Sequence, residues 1–272
     1  MINIPIILTI AGSDSGCGAG IQCDIKTIQA LNGFGVSVIT GLTAQNTTGV
    51  DAIFPVPVDF IEKQFISIIS DFDVSAFKTG MLTNTNVVNY ISDMIQKYRL
   101  PNYVLDPVMV STSGDKLTID KTIDSIIRNL IPLSTIITPN IIEAELILDR
   151  KIETVYDMKE SAKKLLELGC AAVLLKGGHK QQDSDLPNDE ICDVLMVDDN
   201  MESIVFFKNK ICTKNLHGTG CTLSAALATF LGLGFSIEQS FYKAEEYIEK
   251  AIITGSSWTI GKGNGPLQHK VD

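Results

Sequence analysis

The segment LHGTGCTLSAALATFL (residues 216–231) leads from a glycine-rich stretch into a run of small and apolar residues. This order predicts a loop that opens a buried helix. The N–H groups in the first turn of a helix lack helical partners and carry roughly half a positive charge. Because Gly218 and Gly220 let backbone approach a ligand closely, the junction predicts a phosphate cradle with Cys221 in it. The alternative is a glycine-rich loop that only starts a buried helix.

Outside this segment, short apolar runs alternate with stretches of helical periodicity. Apolar residues recur at helical spacing near residues 21–31, 119–130 and 158–166. Strands are predicted at IILTIA (6–11), AFKTG (76–80), YVLDP (103–107), STIITPN (134–140) and AAVLLKGG (171–178). This alternation is typical of an α/β fold with a mostly parallel, doubly wound sheet covered by helices on both faces.

Two segments depart from the alternation. Residues 36–57 have β-branched residues and turn signals with little helical period, which predicts an edge hairpin or a flap. Residues 179–190 are polar and predict a surface loop before two antiparallel strands near 192–197 and 203–207. The chain shows neither an internal repeat nor a linker, so we expect one domain over residues 1–272.

Composition excludes several classes of partner. The 272 residues carry a net charge of −10 without a block of lysine or arginine, which argues against nucleic acid and anionic membranes as partners. The six cysteines form no CxxC pair, as expected of reduced cytosolic thiols. The first residues lack the basic start of a signal peptide, and no apolar run approaches the ~20 residues that span a bilayer. We therefore expect a cytoplasmic protein.

The predicted strand ends carry polar and glycine-rich sequences: AGSDSGCGAG, KTGM, DPVM, TPNIIEAE and KGGH. In an open parallel sheet, ligands bind beyond the carboxyl ends of the strands. We therefore expect these sequences to meet at one edge of the sheet and to form a single site.

Three features of these strand ends favour a site for a nucleotide with a divalent cation. Asp106 and Glu143 are candidate ligands, because Mg²⁺ often uses one or two carboxylates and keeps several waters. Asn140 and Glu143 lie three residues apart, so both can face one site, although the same spacing also suits a helix cap. Lys176 ends an apolar strand and can reach phosphates, unless it is an ordinary surface lysine.

The loop GSDSGCGAG (12–20) resembles a phosphate loop only superficially, because no lysine follows its glycines and the GxGxxG spacing is absent. We interpret it as a loop that lets backbone approach a flat small molecule. Asp24, one turn into the next helix, is placed to accept a hydrogen bond from that molecule, or else to lie on a solvated helix face. The three histidines are scattered and form no metal-ligand pattern.

Taken together, the motifs resemble those of the hydroxymethylpyrimidine/phosphomethylpyrimidine kinases of the ribokinase superfamily. The resemblance covers residues 8–269 and rests on AGSDSGCGAGIQCDIKT, TAQNTTGV, KTGM, LDPVMVSTSGD, TPNIIEAE, KGGH, HGTGCTLSAALA and GKGNGPLQH, in that order. It implies a ribokinase-like three-layer α/β/α sandwich, usually a homodimer, that uses ATP with Mg²⁺. The implied reaction phosphorylates a hydroxymethylpyrimidine and its monophosphate in thiamine biosynthesis.

The resemblance also implies roles for individual residues. Cys221 stands where most of the superfamily has an aspartate base, and a helix N-terminus can lower a thiol pKa toward 7, so a thiolate base is expected. Gly218 to Cys221 would form the anion hole. The other implied positions are Asn140 and Glu143 at magnesium and phosphate, Asp106 at the metal, Lys176 at the nucleotide, Gln45 at the pyrimidine edge, and Gly12, Ala19 and Met81 along the ring.

Two cysteines depart from the family pattern. Cys17 replaces the middle glycine of the usual DSGGGAG, and Cys23 stands where alanine is common. Cys17 adds bulk near the pyrimidine and is expected to affect the backbone angles of the loop.

Two other functions compete with the pyrimidine kinase. Pyridoxal and pyridoxine kinases include relatives with the same cysteine motif, but the Gln45 amide can both donate to a ring nitrogen and accept from an exocyclic amine, which favours the aminopyrimidine. A pyrimidine sensor without catalysis would have no need of Asp106, Glu143, Lys176 and Cys221.

Overall fold

The computed structural model describes residues 4–109, 120–178, 187, 189–198 and 202–271. Within these ranges, nine strands form one sheet in the order β3-β2-β1-β4-β5-β6-β7-β8-β9. The strands are β1 (Ile6–Asp14), β2 (Phe34–Asn46), β3 (Gly49–Pro55), β4 (Val74–Thr79), β5 (Tyr103–Leu105), β6 (Ile136–Ile137), β7 (Ala172–Lys176), β8 (Glu190–Val197) and β9 (Ser203–Asn209). The six strands from β2 to β7 in this spatial order are parallel, while β3, β8 and β9 run antiparallel to their neighbours.

Helices cover both faces of the sheet. They are α1 (Gly20–Ala30), α2 (Val58–Ile69), α3 (Thr85–Tyr98), α4 (Asp120–Asn129), α5 (Ile141–Leu148), α6 (Val155–Leu166), α7 (Thr219–Gly232) and α8 (Ile237–Gly255). Helices α2 to α6 share one apolar core with Leu8 and Ile10 of β1. Helices α1, α7 and α8 share the other core with Ile7, which points to the opposite face of the same strand. The predicted three-layer α/β/α sandwich is confirmed.

Most predicted elements have counterparts in the structure. The five predicted strand runs correspond to β1, β4, β5, β6 and β7, and the two antiparallel strands to β8 and β9. The helix predicted over 119–130 corresponds to α4, and Ile119 lies outside the described residues. Most of the polar loop predicted over 179–190 also lies outside them. Among the described helices, none has the length and apolarity needed to cross a membrane.

Strand β2 does more than form a hairpin. Its carboxyl half pairs antiparallel with β3, which is the edge strand, as in the hairpin expected within 36–57. Its first part, however, pairs parallel with β1 and buries Val36, Val38 and Thr40, so that part is an internal strand. The sequence interpretation missed this internal part.

The position of β1 determines where a ligand can bind. β1 lies between β2 and β4, so the chain leaves it toward one side and later returns on the other. The carboxyl end of a strand at such a switch point opens into a crevice, which is where open α/β sheets bind ligands.

Candidate functional site

A cavity of about 570 Å³ lies at the carboxyl ends of the parallel strands. The sequence-predicted residues that line it are Gly12, Ala19, Gln45, Met81, Asp106, Asn140, Glu143, Lys176, Gly218, Gly220 and Cys221. The structure therefore brings together residues from six strand ends and from the start of α7. Asp24 does not line this cavity.

Gly218 caps the N-terminus of α7 in a conformation that requires glycine. Its φ is +90°, and a Cβ there would lie 1.9 Å from the carbonyl oxygen of Gly18. A Cβ on Gly220 would lie 3.3 Å from Lys176 Nζ, so the first turn of α7 approaches that ammonium closely. The residues that form this anion loop, Gly218 to Cys221, all line the cavity.

The thiolate expected at Cys221 stays a prediction, and the surroundings of the sulfur oppose it. Burial raises the pKa of the Cys221 thiol to about 12; Asp24 and Asp106 raise it further, and Lys78 opposes them. The helix N-terminus favours the thiolate, whereas the surrounding protein and two nearby carboxylates favour the thiol. These surroundings therefore favour the neutral thiol of Cys221 at neutral pH.

Asp24 is neither a ligand for a small molecule nor a solvated helix residue. It is fully buried, 2.8 Å from Lys78 Nζ, and it accepts a hydrogen bond of 2.6 Å from Thr9 Oγ1. Burial raises the pKa of Asp24, and the ammonium of Lys78 opposes that rise. Its carboxylate forms a buried ion pair with Lys78 that joins α1 to β4.

Lys176 and Asp106 form a second ion pair in the wall of the cavity. Lys176 Nζ lies 3.2 Å from Asp106 Oδ1, and the lysine side chain is only 14 % exposed, which excludes an ordinary surface lysine. The Asp106 carboxylate also accepts hydrogen bonds from the hydroxyls of Thr138 and Ser224, each 3.2 Å long. Although burial opposes ionisation, Lys176 and then Lys78 hold the pKa of Asp106 below its usual range.

Asn140 and Glu143 form the helix cap that their spacing allows. The Asn140 side chain accepts the Glu143 N–H at 2.9 Å, and Glu143 Oε2 accepts the Asn140 N–H at 2.8 Å. Burial raises the pKa of Glu143 to about 7, against the effect of Lys176. Both side chains nevertheless line the cavity, so a role toward magnesium and phosphate remains a prediction.

Gly12, Met81 and Gln45, which were predicted to contact the ring, line the cavity at the ends of β1, β4 and β2. A Cβ on Gly12 would lie 2.3 Å from Met81 Cε, so the glycine leaves room for the methionine against β1. Gln45 ends β2 beside this surface. Its Oε1 lies 3.1 Å from Thr43 Oγ1 and its Nε2 lies 3.3 Å from His217 Nε2. Gln45 is thus part of the cavity wall and not of a solvated turn.

Sequence reasoning missed two residues at this end. Asp14 accepts N–H groups from Gly16, Gly18 and Ala19 at 2.8 to 3.1 Å, which shapes the loop after β1. His217 Nε2 lies 2.9 Å from Asp14 Oδ2. The signal was the position of each residue, at a strand end and directly before the anion loop. Among the described residues, no group of three histidine, cysteine or acidic residues is placed to hold a metal.

A buried charge cluster forms the wall beside Gly177. Lys208 Nζ lies 2.5 Å from Asp193 Oδ2 and 2.6 Å from Glu245 Oε2, and Asp193 Oδ1 accepts the Gly177 N–H at 2.7 Å. Burial and then the neighbouring Asp193 raise the pKa of Glu245 to about 8. The cluster ties the loop after β7 to β8, β9 and α8.

The two unusual cysteines have distinct surroundings. Cys17 is exposed and has a φ of +59°, the left-handed conformation in which glycine is common. Cys23 is buried below the anion loop, with its Sγ 3.0 Å from Thr222 Oγ1 and 3.3 Å from His269 Nε2. Cys17 therefore keeps the loop conformation at the cost of backbone strain.

Comparison with known proteins places this geometry in a family. The family model described as phosphomethylpyrimidine kinase matches residues 14–268. The hydroxymethylpyrimidine/phosphomethylpyrimidine kinase of Escherichia coli (strain K12) is 39% identical over 263 residues, which cover 96% of each chain. A crystal structure of phosphomethylpyrimidine kinase from Clostridium difficile 630 is 40% identical, with a TM-score of 0.78, and covers 91% of this chain and 99% of that one. An ADP complex of Bacillus subtilis pyridoxal kinase is 34% identical, with a TM-score of 0.87, and covers 98% of both chains.

Proposed function

The chain belongs to the phosphomethylpyrimidine kinase family, and on that basis we propose that it transfers a phosphoryl group from ATP to 4-amino-5-hydroxymethyl-2-methylpyrimidine, and a second one to the monophosphate of that pyrimidine, in thiamine biosynthesis. One observation carries the proposal. A single cavity is lined by Gln45 and Met81, by the anion loop, and by the Lys176–Asp106 pair. An acceptor alcohol and a phosphoryl donor can therefore meet inside it.

The anion loop is proposed to stabilise the phosphoryl group during transfer. Its backbone N–H groups at the start of α7 suit the negative charge on the equatorial oxygens. A protonated thiol cannot accept the proton of the substrate hydroxyl, so Cys221 is proposed to act mainly through its backbone N–H. In a loose transition state the acceptor oxygen needs little deprotonation before bond formation, and its proton can pass to a phosphoryl oxygen late.

Asp106 and Glu143 fit a magnesium ion whose other ligands are ATP phosphate oxygens and water. Both offer oxygen atoms at the cavity wall, and Mg²⁺ in nucleotide sites often uses one or two carboxylates. The ion would neutralise phosphate charge. Lys176 and Asn140 would contact the nucleotide from the same wall, and the ADP bound by the related pyridoxal kinase supports a nucleotide in this fold.

Pyridoxal phosphorylation is the second candidate, favoured by the TM-score of 0.87 to the B. subtilis pyridoxal kinase. The higher identity to phosphomethylpyrimidine kinases and the amide of Gln45 favour the pyrimidine. An ADP-release assay with hydroxymethylpyrimidine, its monophosphate, pyridoxal and pyridoxine decides between them. We expect kcat/KM to be highest for the two pyrimidines; higher values for pyridoxal would reverse the assignment, and no turnover at all would favour a sensor.

A homodimer formed at the β3 edge is also proposed. Leu42 and Phe54 face each other across β2 and β3, and 46 % and 63 % of their surfaces are exposed. Adjacent exposed apolar side chains on an edge strand favour contact with a second copy. Phe54→Asp should give a monomer in sedimentation, whereas Phe207→Asp, at a 53 % exposed position on the opposite edge strand β9, should remain dimeric. A monomeric parent protein would contradict the proposal.

A cytoplasmic location is proposed as well. All six cysteines lie within the described residues and are free thiols, two of them exposed, which suits a reducing compartment. Fractionation of cells that express the protein from its own gene, with thiol trapping of Cys17 and Cys212, tests this.

A further inference from the structure

The motif GKGNG (residues 261–265), here called the clasp, contacts the turn between β2 and β3, which lies far from it in the sequence. Thr47 Oγ1 accepts the N–H groups of Lys262 and Gly263, each at 3.1 Å and 215 and 216 positions away. The carbonyl oxygen of Thr47 accepts the N–H of Asn264 at 2.8 Å. One threonine of the β2–β3 turn therefore accepts three consecutive N–H groups of the clasp.

The last residue of the clasp reaches the start of the anion loop. The carbonyl oxygen of Gly265 accepts the His217 N–H at 3.1 Å, and the following residue, Pro266, forms an isolated parallel bridge with His217. His217 directly precedes Gly218, the first residue of the anion loop. Within five residues, the clasp thus joins the β2–β3 turn to the anion loop.

Close contacts explain why glycines alternate in this motif. A Cβ on Gly263 would lie 2.0 Å from the carbonyl oxygen of Thr47, and a Cβ on Gly265 would lie 2.1 Å from Asn215 Oδ1. Asn215 has little freedom to move away, because it is buried and its Nδ2 donates to the backbone at the end of α8 at 2.8 Å. The glycines therefore allow the clasp to lie directly against both of its partners.

The β2–β3 turn needs such support because it lies at the edge of the sheet. None of the seven described residues of β3 is buried, so β3 brings no core packing to this turn. Gln45, on the cavity wall, lies two residues before Thr47. Its backbone bonds the Ser15 hydroxyl at 2.7 and 2.9 Å, and the clasp holds Thr47. These hydrogen bonds therefore determine where Gln45 stands relative to the anion loop.

We propose that the clasp positions the acceptor for phosphoryl transfer, because it fixes the separation between the pyrimidine edge at Gln45 and the anion loop. Thr47 does not line the cavity, so it is a positioning residue that acts through Gln45. Phosphoryl transfer requires the acceptor oxygen and the phosphoryl group in line, and small displacements reduce its rate. This inference rests on the proposed function and adds residues that set the geometry of the reaction.

Thr47→Val tests the clasp, because valine keeps the shape of threonine and lacks the Oγ1 that accepts two N–H groups. The ADP-release assay gives kcat and KM for hydroxymethylpyrimidine, and calorimetry gives Kd for the ATP analogue AMP-PCP with Mg²⁺. We expect kcat/KM for the pyrimidine to fall about tenfold. Kd for AMP-PCP should stay unchanged, because Asp106 and Lys176 follow β5 and end β7, away from the β2–β3 turn.

Three further variants separate positioning from general damage to the turn. Thr47→Ser keeps the acceptor and should keep the parent values. Thr48→Val is the matched control, because the Thr48 hydroxyl donates to Asn46 within the same turn at 2.6 Å and does not bond the clasp. It should also keep the parent values. Gly265→Ala disturbs the other end, and the double variant with Thr47→Val should lose no more than the worse single variant, because the clasp acts only while both ends hold.

The outcomes distinguish this inference from the proposed function. If folded Thr47→Val phosphorylates the pyrimidine as the parent protein does, or if Thr48→Val loses as much, the clasp is refuted and the kinase assignment stands. Losses that multiply in the double variant would also refute it. If the parent protein has a higher kcat/KM for pyridoxal than for the pyrimidine, the proposed substrate is wrong and the inference fails with it. Thermal unfolding establishes that each variant is folded, and if Gly265→Ala is not, the Thr47 and Thr48 variants decide alone.

Discussion

Titration of Cys221 with a small disulfide reagent between pH 7 and 10 tests the account of the anion loop. With a pKa of about 12, compared with an ordinary value of 9.0, about a thousandfold less of this thiol is ionised at a given pH below 9. A more basic thiolate is also more nucleophilic, by roughly 0.4–0.5 logarithmic units for each pKa unit. We therefore expect Cys221 to react about 30 to 60 times more slowly than an ordinary thiol. Its rate should rise about tenfold for each pH unit.

Peptide mapping by mass spectrometry after short pulses of the reagent gives the rate at each cysteine. The exposed Cys212 serves as the reference within the same molecule. Labelling of Cys221 at pH 7 as fast as that of Cys212, or a rate that levels off by pH 8, would refute the neutral thiol and restore a thiolate base.

Two charge variants give opposite shifts if the buried pair controls this pKa. The cation of Lys78 lowers the pKa of Cys221 and the carboxylate of Asp24 raises it. Lys78→Met should therefore slow the labelling of Cys221, and Asp24→Asn should speed it. Equal effects of the two variants would indicate general loosening of the fold, and the double variant Lys78→Met/Asp24→Asn should fall between them.

Three other properties follow from the same contacts. Cys17→Gly should raise the free energy of unfolding by about 0.5–1 kcal/mol in urea titrations because φ is +59°, whereas Cys212→Gly, at an exposed position without positive φ, should not. The pKa of Glu245 is raised to about 8 in the native state, compared with an ordinary value of 4.5, so the native state keeps a proton that the unfolded chain releases. The free energy of unfolding should therefore fall as pH rises between these values. Glu245→Gln should flatten that fall, measured as urea midpoints from pH 5 to 8. Lys176→Met should raise KM for ATP about tenfold or more in the ADP-release assay, with little effect on Kd for the pyrimidine; an unchanged KM would remove Lys176 from the nucleotide.

The strand ends could be predicted because they depend on local patterns. A short apolar run followed by glycine or aspartate indicates where a buried strand ends, and the rule for open parallel sheets then brings those ends together. This was enough to gather Gly12, Asp106 and Lys176 into one cavity, whereas Gln45 was assigned to it only through the family resemblance. The internal part of β2 was missed because its turn-rich carboxyl half dominated the pattern of residues 36–57.

The chemistry of the site depends on partners that are remote in sequence. The state of the Cys221 thiol follows from enclosure and from Asp24, which lies almost two hundred positions earlier in the chain, and the position of Asp24 follows from Lys78. Likewise, 203 positions separate Asp14 from His217, its partner at 2.9 Å. A helix N-terminus is visible in the sequence, but the carboxylates that oppose its effect are not.

The charges around the cavity explain why an acidic protein relies on backbone groups to bind phosphate. The aspartate, glutamate and lysine residues of the lining are Asp14, Asp106, Glu143, Asp193 and Glu249 on the acidic side and Lys176, Lys208 and Lys210 on the basic side. Lys176 and Lys208 are each within 3.2 Å of a carboxylate, so each pair adds little net charge, and Lys176 would reach a phosphate mainly as a hydrogen-bond donor. Buried pairs of this kind add little net stability, but they keep lysines charged inside a low-dielectric wall. With only Lys210 left among the lining lysines, most of the positive potential that a nucleotide polyphosphate requires is expected from the N–H groups of the anion loop and from a cation that arrives with the phosphates. This is the physical reason for expecting this kinase to use the magnesium complex of ATP.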